Sequence, residues 1–286
     1  MLVGDKKNRP FCFLWEEGVE KMIIKKLELL ALQKDIIEWT KSMMKNIGGE
    51  KAILGVSGGK DSSVVAALLV EAIGKGNVIG VLMPNGVQDD ISYANDLVEY
   101  LGIKSIEVNI KSITDEILLS VDSIENNLVP FISQQTILNI PPRVRMTVLY
   151  AISQSIDNSR VINTSNLSED WIGYATLYGD NTGAFSPLGM LTSDEVVQLG
   201  EVLGLPDKFL AKVPSDGLTG KTDEDVFGFS YAILNRYIRE GYIEDLAIKE
   251  KIDAMHRYSR HKFLPIPMYN SKMPIEADDI AGIYKK

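Results

Sequence analysis

The residues best suited to chemistry form the run Ser57-Gly58-Gly59-Lys60-Asp61-Ser62-Ser63. This run lies between an apolar, strand-like stretch over residues 52–56 and a helix-like stretch that begins at Val64. Adjacent glycines let a backbone approach an anion closely, serine hydroxyls donate hydrogen bonds, and the start of a helix presents unpaired N–H groups. We therefore predict that the turn over residues 57–62 binds the phosphates of a nucleotide.

Asp61 adds the expectation of a metal ion to this turn. Its carboxylate would repel a polyphosphate bound at the same point, and a bridging Mg²⁺ removes the conflict because it prefers oxygen ligands. The spacing is not the G-x-x-x-x-G-K-[ST] of a kinase-type P-loop, so transfer of the terminal phosphoryl group is not predicted. The competing interpretation is an ordinary glycine-rich turn in which serine and aspartate cap the following helix.

Composition limits the classes of protein that this chain can belong to. A hydrophobic fraction of 45% over 286 residues is sufficient for a large core. The formal net charge of -9 argues against a nucleic-acid or anionic-membrane partner. Cys12 is the only cysteine, and no stretch approaches the roughly 20 apolar residues of a membrane span. We expect a globular, cytoplasmic protein.

The pattern along the chain predicts the fold. Strand-like runs cover residues 52–56, 78–82, 106–110 and 161–163, and helical patterns between them cover 62–73, 89–101 and 141–156. Alternation of this kind predicts right-handed crossovers and a parallel sheet with helices on both faces. We predict an α/β fold with a doubly wound parallel sheet, which binds its ligand at the carboxyl ends of the strands.

The two ends of the chain are predicted to extend this core. Residues 1–18 are expected to form an irregular N-terminal arm, because Pro10 interrupts any helix there, and apolar spacing predicts a helix over 19–46. Residues 19–286 are predicted to form a single domain. Helices expected near 223–239 and 245–258 would give it a helical C-terminal appendage.

Further motifs follow the turn in a specific order. The SGGxDS pattern of the turn resembles the signature of the PP-loop ATP pyrophosphatases, which cleave ATP between its α and β phosphates. The supporting segments are 84–90, 142–146, 163–169, 173–174, 176–180, 212–215, 223–231 and 261–265. With these segments, the chain resembles the ammonia-dependent NAD synthetase family from about residue 35 to residue 267.

The resemblance implies a reaction and its cofactors, ATP and Mg²⁺. In this family ATP adenylates the carboxylate of nicotinic acid adenine dinucleotide, pyrophosphate leaves, and free ammonia converts the acyl adenylate to the amide. The implied metal ligands are Asp61 and Glu169, and the implied ATP contacts beyond the turn are Gln88 and Thr164. Asp61 and Asp180 are the predicted catalytic acids. A homodimer is also implied, with the dinucleotide lying across the subunit interface.

The resemblance also implies a set of substrate-binding residues, namely Arg143, Tyr174, Asp180, His261 and Lys262. The planar guanidinium of Arg143 suits a phosphate or carboxylate. Tyr174 can stack on a nicotinate ring. Asp180 can accept a hydrogen bond from a ribose hydroxyl or approach the ammonia.

Several positions depart from the family pattern. Leu82 stands in place of an arginine, Leu177 and Ser193 in place of lysines, Ala184 in place of an acid, Asn163 in place of a glycine, and Phe263 in place of an arginine. Two other interpretations therefore stay open. One is an amide ligase of the same kind that acts on a different carboxylic acid, and the other is a non-catalytic ATP-binding paralogue. Asp61 and Glu169 argue against the paralogue, because a scaffold has no need for paired buried acids.

Overall fold

The computed structural model of the chain describes residues 11–16, 19–88, 90–124, 128–129, 131–211, 222–271, 273–280, 282 and 284. Side chains are described from Ile24 onward. Asp89 and the segment 212–215, which both contribute to the resemblance, lie outside the described residues.

A β-hairpin precedes the main sheet. Strand β1 (Phe11–Glu16) pairs antiparallel with β2 (Val19–Ile24), and helix α1 begins only at Lys26. The predictions of an irregular arm to residue 18 and of a helix from residue 19 are therefore wrong at this point. Aromatic and β-branched residues on the two facing segments favour a strand pair, and that pairing outweighs the helical spacing.

The main sheet has four parallel strands in the order β5-β4-β3-β6. They are β3 (Lys51–Gly55), β4 (Val78–Leu82), β5 (Lys104–Glu107) and β6 (Ser159–Val161). All four strands occur where the sequence predicted strands. The last two begin two residues earlier than predicted, because pairing with β4 and β3 sets their ends.

Helices cover both faces of this sheet. They are α1 (Lys26–Asn46), α2 (Lys60–Ile73), α3 (Ile91–Leu101), α4 (Lys111–Asp122), α5 (Gln134–Gln154), α6 (Leu167–Ile172), α7 (Ser193–Val202), α8 (Asp207–Leu210), α9 (Asp223–Phe227), α10 (Tyr231–Glu240) and α11 (Leu246–Ser259). Successive residues of β3 enter different apolar clusters, Leu54 with α2 and α7, and Ile53 with α5. The central strands β3 and β4 are thus buried on both sides, as the doubly wound prediction requires, whereas the edge strand β5 is exposed.

Helix α5 begins at Gln134 rather than at the predicted residue 141. Pro141 and Pro142 lie inside it, although proline usually marks the first turn of a helix. The side chain of Ser133 caps the true start, since its Oγ accepts from the backbone N–H of Thr136 at 3.1 Å. The prolines therefore misplaced the predicted boundary by about two turns.

The C-terminal helices form an appendage with an apolar cluster of its own, which includes Phe227, Leu234 and Ile252. The helix predicted near 223–239 is two helices, α9 and α10. Gly228 separates them with φ of 73°, and the Ser230 side chain caps α10. Because glycine adopts this left-handed conformation readily, the break occurs there.

The strand order creates a crevice at one place in the sheet. The chain leaves β3 through α2 towards β4 on one side, whereas β6 pairs with β3 on the other side. Ligands of open α/β sheets bind at such a switch point, outside the carboxyl ends of the strands. The turn over 57–62 follows β3 and the segment 163–169 follows β6, so both predicted motifs meet there. Within the described residues, no helix is long and apolar enough to cross a membrane.

Candidate nucleotide-binding site

Gly58 fixes the path of the turn after β3. Its φ is 73°, and a Cβ atom at this position would lie 2.6 Å from Cβ of Tyr93 and 2.7 Å from the backbone nitrogen of Ala94. The turn therefore packs directly against the backbone of α3. Only glycine satisfies both the conformation and the close approach.

The serines shape the turn from within. Ser57 Oγ accepts from the N–H of Gly59 at 3.2 Å and lies 3.1 Å from Ser62 Oγ. Ser62 and Ser63 both donate to the carbonyl of Gly59, at 3.1 and 2.8 Å. Gly59 is the N-cap of α2, and no side chain of the described residues caps that helix. The competing interpretation, in which serine or aspartate caps α2, therefore does not describe this turn, and the first N–H groups of α2 are left for an anion.

Asp61 and Glu169 converge on one buried lysine. Lys60 is 7% exposed, and its Nζ lies 2.8 Å from Asp61 Oδ2 and 3.9 Å from Glu169 Oε1. The turn after β3 and the start of α6 thus bring together the two acids that the sequence placed more than a hundred residues apart.

Asn166 ties the two acids to each other. Its Nδ2 donates to Asp61 Oδ1 at 3.0 Å, and its Oδ1 accepts from the N–H groups of Ser168 and Glu169 at 3.0 and 3.2 Å. Asn166 is fully buried. It therefore caps α6 and orients Asp61 at the same time, a role that the sequence reasoning missed.

The C-terminal helices supply a third acid to this cluster. Asp223 of α9 is buried and accepts from the hydroxyls of Tyr174 and Tyr231, both at 3.1 Å. The ring centroid of Tyr231 lies 5.8 Å from Lys60 Nζ. Both Asp223 and Tyr231 belong to the segment 223–231, but nothing in the sequence indicates that they face Lys60.

The charges in this cluster shift one another's protonation. Burial and, to a smaller extent, the Asp61 charge raise the pKa of Glu169, Lys60 opposes the shift, and the resulting pKa is about 8. Burial lowers the pKa of Lys60, but Asp61 and Glu169 outweigh that effect, so its pKa is raised. Acids outnumber cations around Lys60, which makes the cluster attractive to a further cation.

The donor set at this point fits Mg²⁺ together with a nucleotide. The described residues contain no group of three or more side chains that would hold a metal ion by themselves. Asp61 and Glu169 would therefore supply two carboxylates, and phosphate oxygens and water would complete the shell. Mg²⁺ in nucleotide sites is commonly held in this way.

The other predicted ATP contacts lie at the strand ends. Gln88 follows β4 and is half-buried, and its Nε2 donates to Asp90 Oδ1 at 2.7 Å. Thr164 is half-buried and follows β6 by three residues. Their positions are those expected for nucleotide contacts, and their roles stay predictions.

Two arginines of α5 differ in their surroundings. Arg143 is exposed, and its Nε donates to the carbonyl of Leu177 at 3.2 Å. Arg145 is half-buried, and its Nε donates to the carbonyl of Met83, just after β4, at 3.1 Å. Arg145 makes no ion pair within 4 Å among the residues that the structure describes. Burial lowers the pKa of Arg145, and the nearby charge of Asp180 opposes this.

The remaining predicted substrate residues lie along the loop after α6 and the end of α11. Asp180 Oδ1 accepts from the N–H of Thr176 at 2.5 Å. Lys262 Nζ donates to the carbonyls of Gly173 and Ala175, both at 2.8 Å. His261 is exposed, and its Nδ1 lies 2.9 Å from the carbonyl oxygen of Tyr258.

Tyr174 is held on two sides. Its hydroxyl donates to Asp223, and its ring meets that of Phe227 edge-on with centroids 4.7 Å apart. Both contacts fix the ring beside the acid cluster. The structure thus places Tyr174 closer to the predicted metal acids than the sequence indicated.

A cavity of about 360 Å³ lies beyond the end of β6. Its lining includes Asn163, Asp170, Lys262 and Phe263. Burial and the charge of Asp180 raise the pKa of Asp170, Arg260 opposes the shift, and the resulting pKa is about 7. The cavity therefore combines an acid and a lysine next to the predicted acceptor residues.

Three of the positions that depart from the family pattern serve the fold. Leu82 is buried at the end of β4. Ser193 is buried, donates its N–H to Ser168 Oγ at 3.0 Å, and accepts from Asn235 Nδ2 at 3.1 Å. Asn163 donates to the carbonyls of Asp180 and Thr182 at 3.1 and 3.0 Å, which fixes that loop to β6.

The fold and the uncapped helix start beside paired acids define a nucleotide-binding α/β protein. A family model described as NAD synthase matches residues 32–272. The NH(3)-dependent NAD(+) synthetase of Pyrococcus horikoshii is 34% identical over 241 residues, which are 79% of this chain and 91% of the relative. The chain belongs to the NAD synthase family.

Solved structures agree with this family. NMN synthetase from Francisella tularensis aligns with a TM-score of 0.77 at 31% identity, over 85% of this chain and 98% of that one. NH3-dependent NAD synthetase from Campylobacter jejuni aligns with a TM-score of 0.69 at 27% identity, over 85% and 99%. The predictions of the family, of the doubly wound fold and of an NAD-synthetase type of enzyme are confirmed.

Proposed function

We propose that this chain is an AMP-forming ligase that joins ammonia to the carboxylate of nicotinic acid adenine dinucleotide. The observation that carries the proposal is the uncapped start of α2, pressed against α3 at Gly58 and placed beside Asp61 and Glu169. Ammonia attacks the acyl adenylate, and the amide and AMP are released after pyrophosphate.

The phosphate turn acts on the leaving group. The first N–H groups of α2 hold the β and γ phosphates, whose negative charge grows as the bond to the α phosphate breaks, and the serine hydroxyls hold the shape of the turn. Asp61 and Glu169 would hold Mg²⁺, which supplies positive charge to the departing pyrophosphate. Asn166 keeps Asp61 in place through its 3.0 Å hydrogen bond.

Arg145 compensates in part for the arginine that Leu82 replaces. Its guanidinium is anchored on the carbonyl of Met83, the residue directly after Leu82, and it is half-buried. A half-buried guanidinium with no ion pair among the described residues favours an anion. In this proposal Arg145 meets a nucleotide phosphate at the end of β4.

The acceptor lies on the far side of the α phosphate. Arg143 meets a phosphate or carboxylate of the acceptor at the exposed rim, and Tyr174 offers a fixed ring to the nicotinate. Lys262 lines the cavity beyond β6, where ammonia would enter, and Asp180 lies on the loop that Asn163 ties to β6. His261 contributes a polar group at the rim.

A second acceptor, nicotinic acid mononucleotide, is also supported. The NMN synthetase of Francisella tularensis aligns with a higher TM-score than the Campylobacter jejuni NAD synthetase, 0.77 against 0.69. The chain also has Leu177 where the family pattern has a lysine. A mononucleotide has one phosphate fewer than the dinucleotide and needs fewer cations. Another carboxylic acid remains the third candidate.

Apolar exposure supports the proposed homodimer. Leu119, Phe131 and Ile137 are exposed on and between α4 and α5. Exposed apolar patches of this kind mark association surfaces. A homodimer of cytoplasmic subunits is therefore proposed.

An acceptor comparison tests this function. The purified chain is supplied with ATP, Mg²⁺ and ammonia, and with either the dinucleotide or the mononucleotide acid, while pyrophosphate and amide are followed together. Formation of pyrophosphate and amide with the dinucleotide supports an NAD synthetase. Formation of both products with the mononucleotide, but not with the dinucleotide, supports the second acceptor. If the chain bound ATP but released no pyrophosphate in the presence of any of these acids, the enzymatic proposal would be overturned in favour of a non-catalytic paralogue.

A further inference from the structure

Lys60 occupies the variable position of the SGGxDS pattern, and its side chain is turned inward. The ammonium is buried, 2.8 Å from Asp61 and 3.9 Å from Glu169. Most residues of α2 are buried, but a lysine normally keeps its charged end in solvent. Its burial between the two acids therefore calls for an electrostatic explanation.

Two carboxylates that share a buried site repel each other and lose hydration. A nearby cation lowers both costs. Lys60 is the cation that ion-pairs with both acids in the described part of the chain. Without it, Asp61, Glu169 and Asp223 would form an uncompensated acidic cluster.

The geometry also brings Lys60 into competition with a divalent cation. Asp61 Oδ2 is in contact with Nζ, while Asp61 Oδ1 accepts from Asn166. Both oxygens of this carboxylate are therefore engaged. A metal ion that binds Asp61 must use a remaining lone pair beside one of these donors, close to the positive ammonium that repels it, and Asp223 offers the ammonium another acid nearby.

We propose that Lys60 is a built-in counter-ion of the acid pair, which holds Asp61 and Glu169 together in the free protein and which opposes the binding of a divalent cation to Asp61. The inference rests on the proposed function in one respect, that these acids receive the metal. It implies weak binding of the free ion and much stronger binding of the ion together with a nucleotide, whose phosphates add ligands.

The test measures binding of Mn²⁺ alone to the full chain, by titration calorimetry, for the wild type and for K60M. Methionine keeps the length of the side chain and removes its charge. We expect K60M to unfold at a lower temperature without metal, and to bind Mn²⁺ about tenfold more tightly than the wild type. Equal or weaker Mn²⁺ binding by K60M would overturn the proposal.

K208M is the matched control. Lys208 forms a half-exposed ion pair with Asp96 at 2.9 Å, far from the acid cluster in sequence. Its replacement should leave Mn²⁺ affinity unchanged. A gain in affinity equal to that of K60M would show a general effect of net charge and would overturn the assignment to Lys60.

A double variant keeps the test decisive if K60M folds poorly. K60M/E169Q removes one charge of each sign, so it should regain part of the thermal stability that K60M loses. If K60M/E169Q lost as much thermal stability as K60M and E169Q lose separately in sum, the counter-ion role would be contradicted. Neither measurement involves turnover or an acceptor, so failure of the proposed reaction and failure of this inference are distinguishable.

Discussion

The region around the turn over residues 57–62, here called the nucleotide side, and the region around the loop after α6 and residues 261–263, here called the acceptor side, differ in how completely they match the family pattern. Around the turn after β3, the glycines, the serines and the paired acids are present and closely connected, from Gly58 against α3 to Asn166 on Asp61, and Leu82 is the nearby departure from the family pattern. On the acceptor side, Leu177, Ala184 and Phe263 stand where charges are expected. The difference indicates that ATP activation constrains the first region, whereas the choice of acid constrains the second.

The largest effect is expected from the metal acid of the nucleotide side. Asp61→Asn removes a negative ligand while keeping the shape, so release of pyrophosphate should fall by about a thousandfold with every acceptor. The measurement is the initial rate of pyrophosphate release at saturating ATP. Asp96→Asn, at a half-exposed surface acid, is the control and should retain the wild-type rate.

Gly58→Ala should disrupt the turn itself. The added Cβ would meet Tyr93 at 2.6 Å, and φ is 73°, so we expect a loss of about 3 kcal/mol in the free energy of unfolding, with weakened ATP binding. Gly74→Ala is the matched control. Its φ is 82°, but no described atom lies within 4 Å of the added Cβ, so about 1 kcal/mol should be lost and ATP affinity kept. Equal losses would contradict the packing argument.

The two arginines of α5 separate the two regions directly. Arg145→Met should raise the KM for ATP, and Arg143→Met should raise the KM for the acceptor, each by about tenfold because a charge-assisted hydrogen bond is lost. Steady-state kinetics with each substrate varied in turn measures both. If either variant shifted both KM values equally, the division between the regions would be wrong at that residue.

A further prediction concerns pH and the free protein without metal. Glu169 has a pKa of about 8 in the folded chain, above its ordinary 4.5, so the folded state holds the proton more tightly. Its contribution to the free energy of unfolding is therefore present at low pH and is lost as pH rises from about 4.5 to about 8. Asp170, with a pKa of about 7, adds a loss of the same sign.

Denaturant unfolding at pH 5 and pH 8 measures this slope, which Glu169→Gln should reduce. Asp253→Asn is the control, because Lys249 and Tyr237 lower the pKa of Asp253 below its ordinary 3.8 and it titrates outside this range. An unchanged slope in the Glu169 variant would contradict the burial of a protonated acid.

The sequence predicted what local pattern determines. The parallel strands and the glycine-rich turn follow from short segments with a clear local pattern, and the pairing of Asp61 with Glu169 was implied by the family resemblance. The pairing of β1 with β2 was missed because helical spacing across residues 19–46 concealed a strand. The prolines of α5 led to a predicted helix start at residue 141, whereas Ser133 caps the helix further upstream.

The long-range contacts in the site could not be predicted from the sequence. Asp223 and Tyr231 reach Lys60 only because α9 and α10 fold back towards the carboxyl ends of the strands. Arg145 and Arg143 are two residues apart on one helix, and only their packing shows which one is half-buried. Such orientations depend on tertiary packing, which residue spacing alone does not determine.

The central claim is that ATP is cleaved between its α and β phosphates at the turn after β3. Phosphorus NMR of the purified chain with ATP, Mg²⁺, ammonia and its preferred acid tests this claim directly. The account predicts AMP and pyrophosphate in equal amounts, with one amide formed for each. ADP and orthophosphate in their place would contradict it.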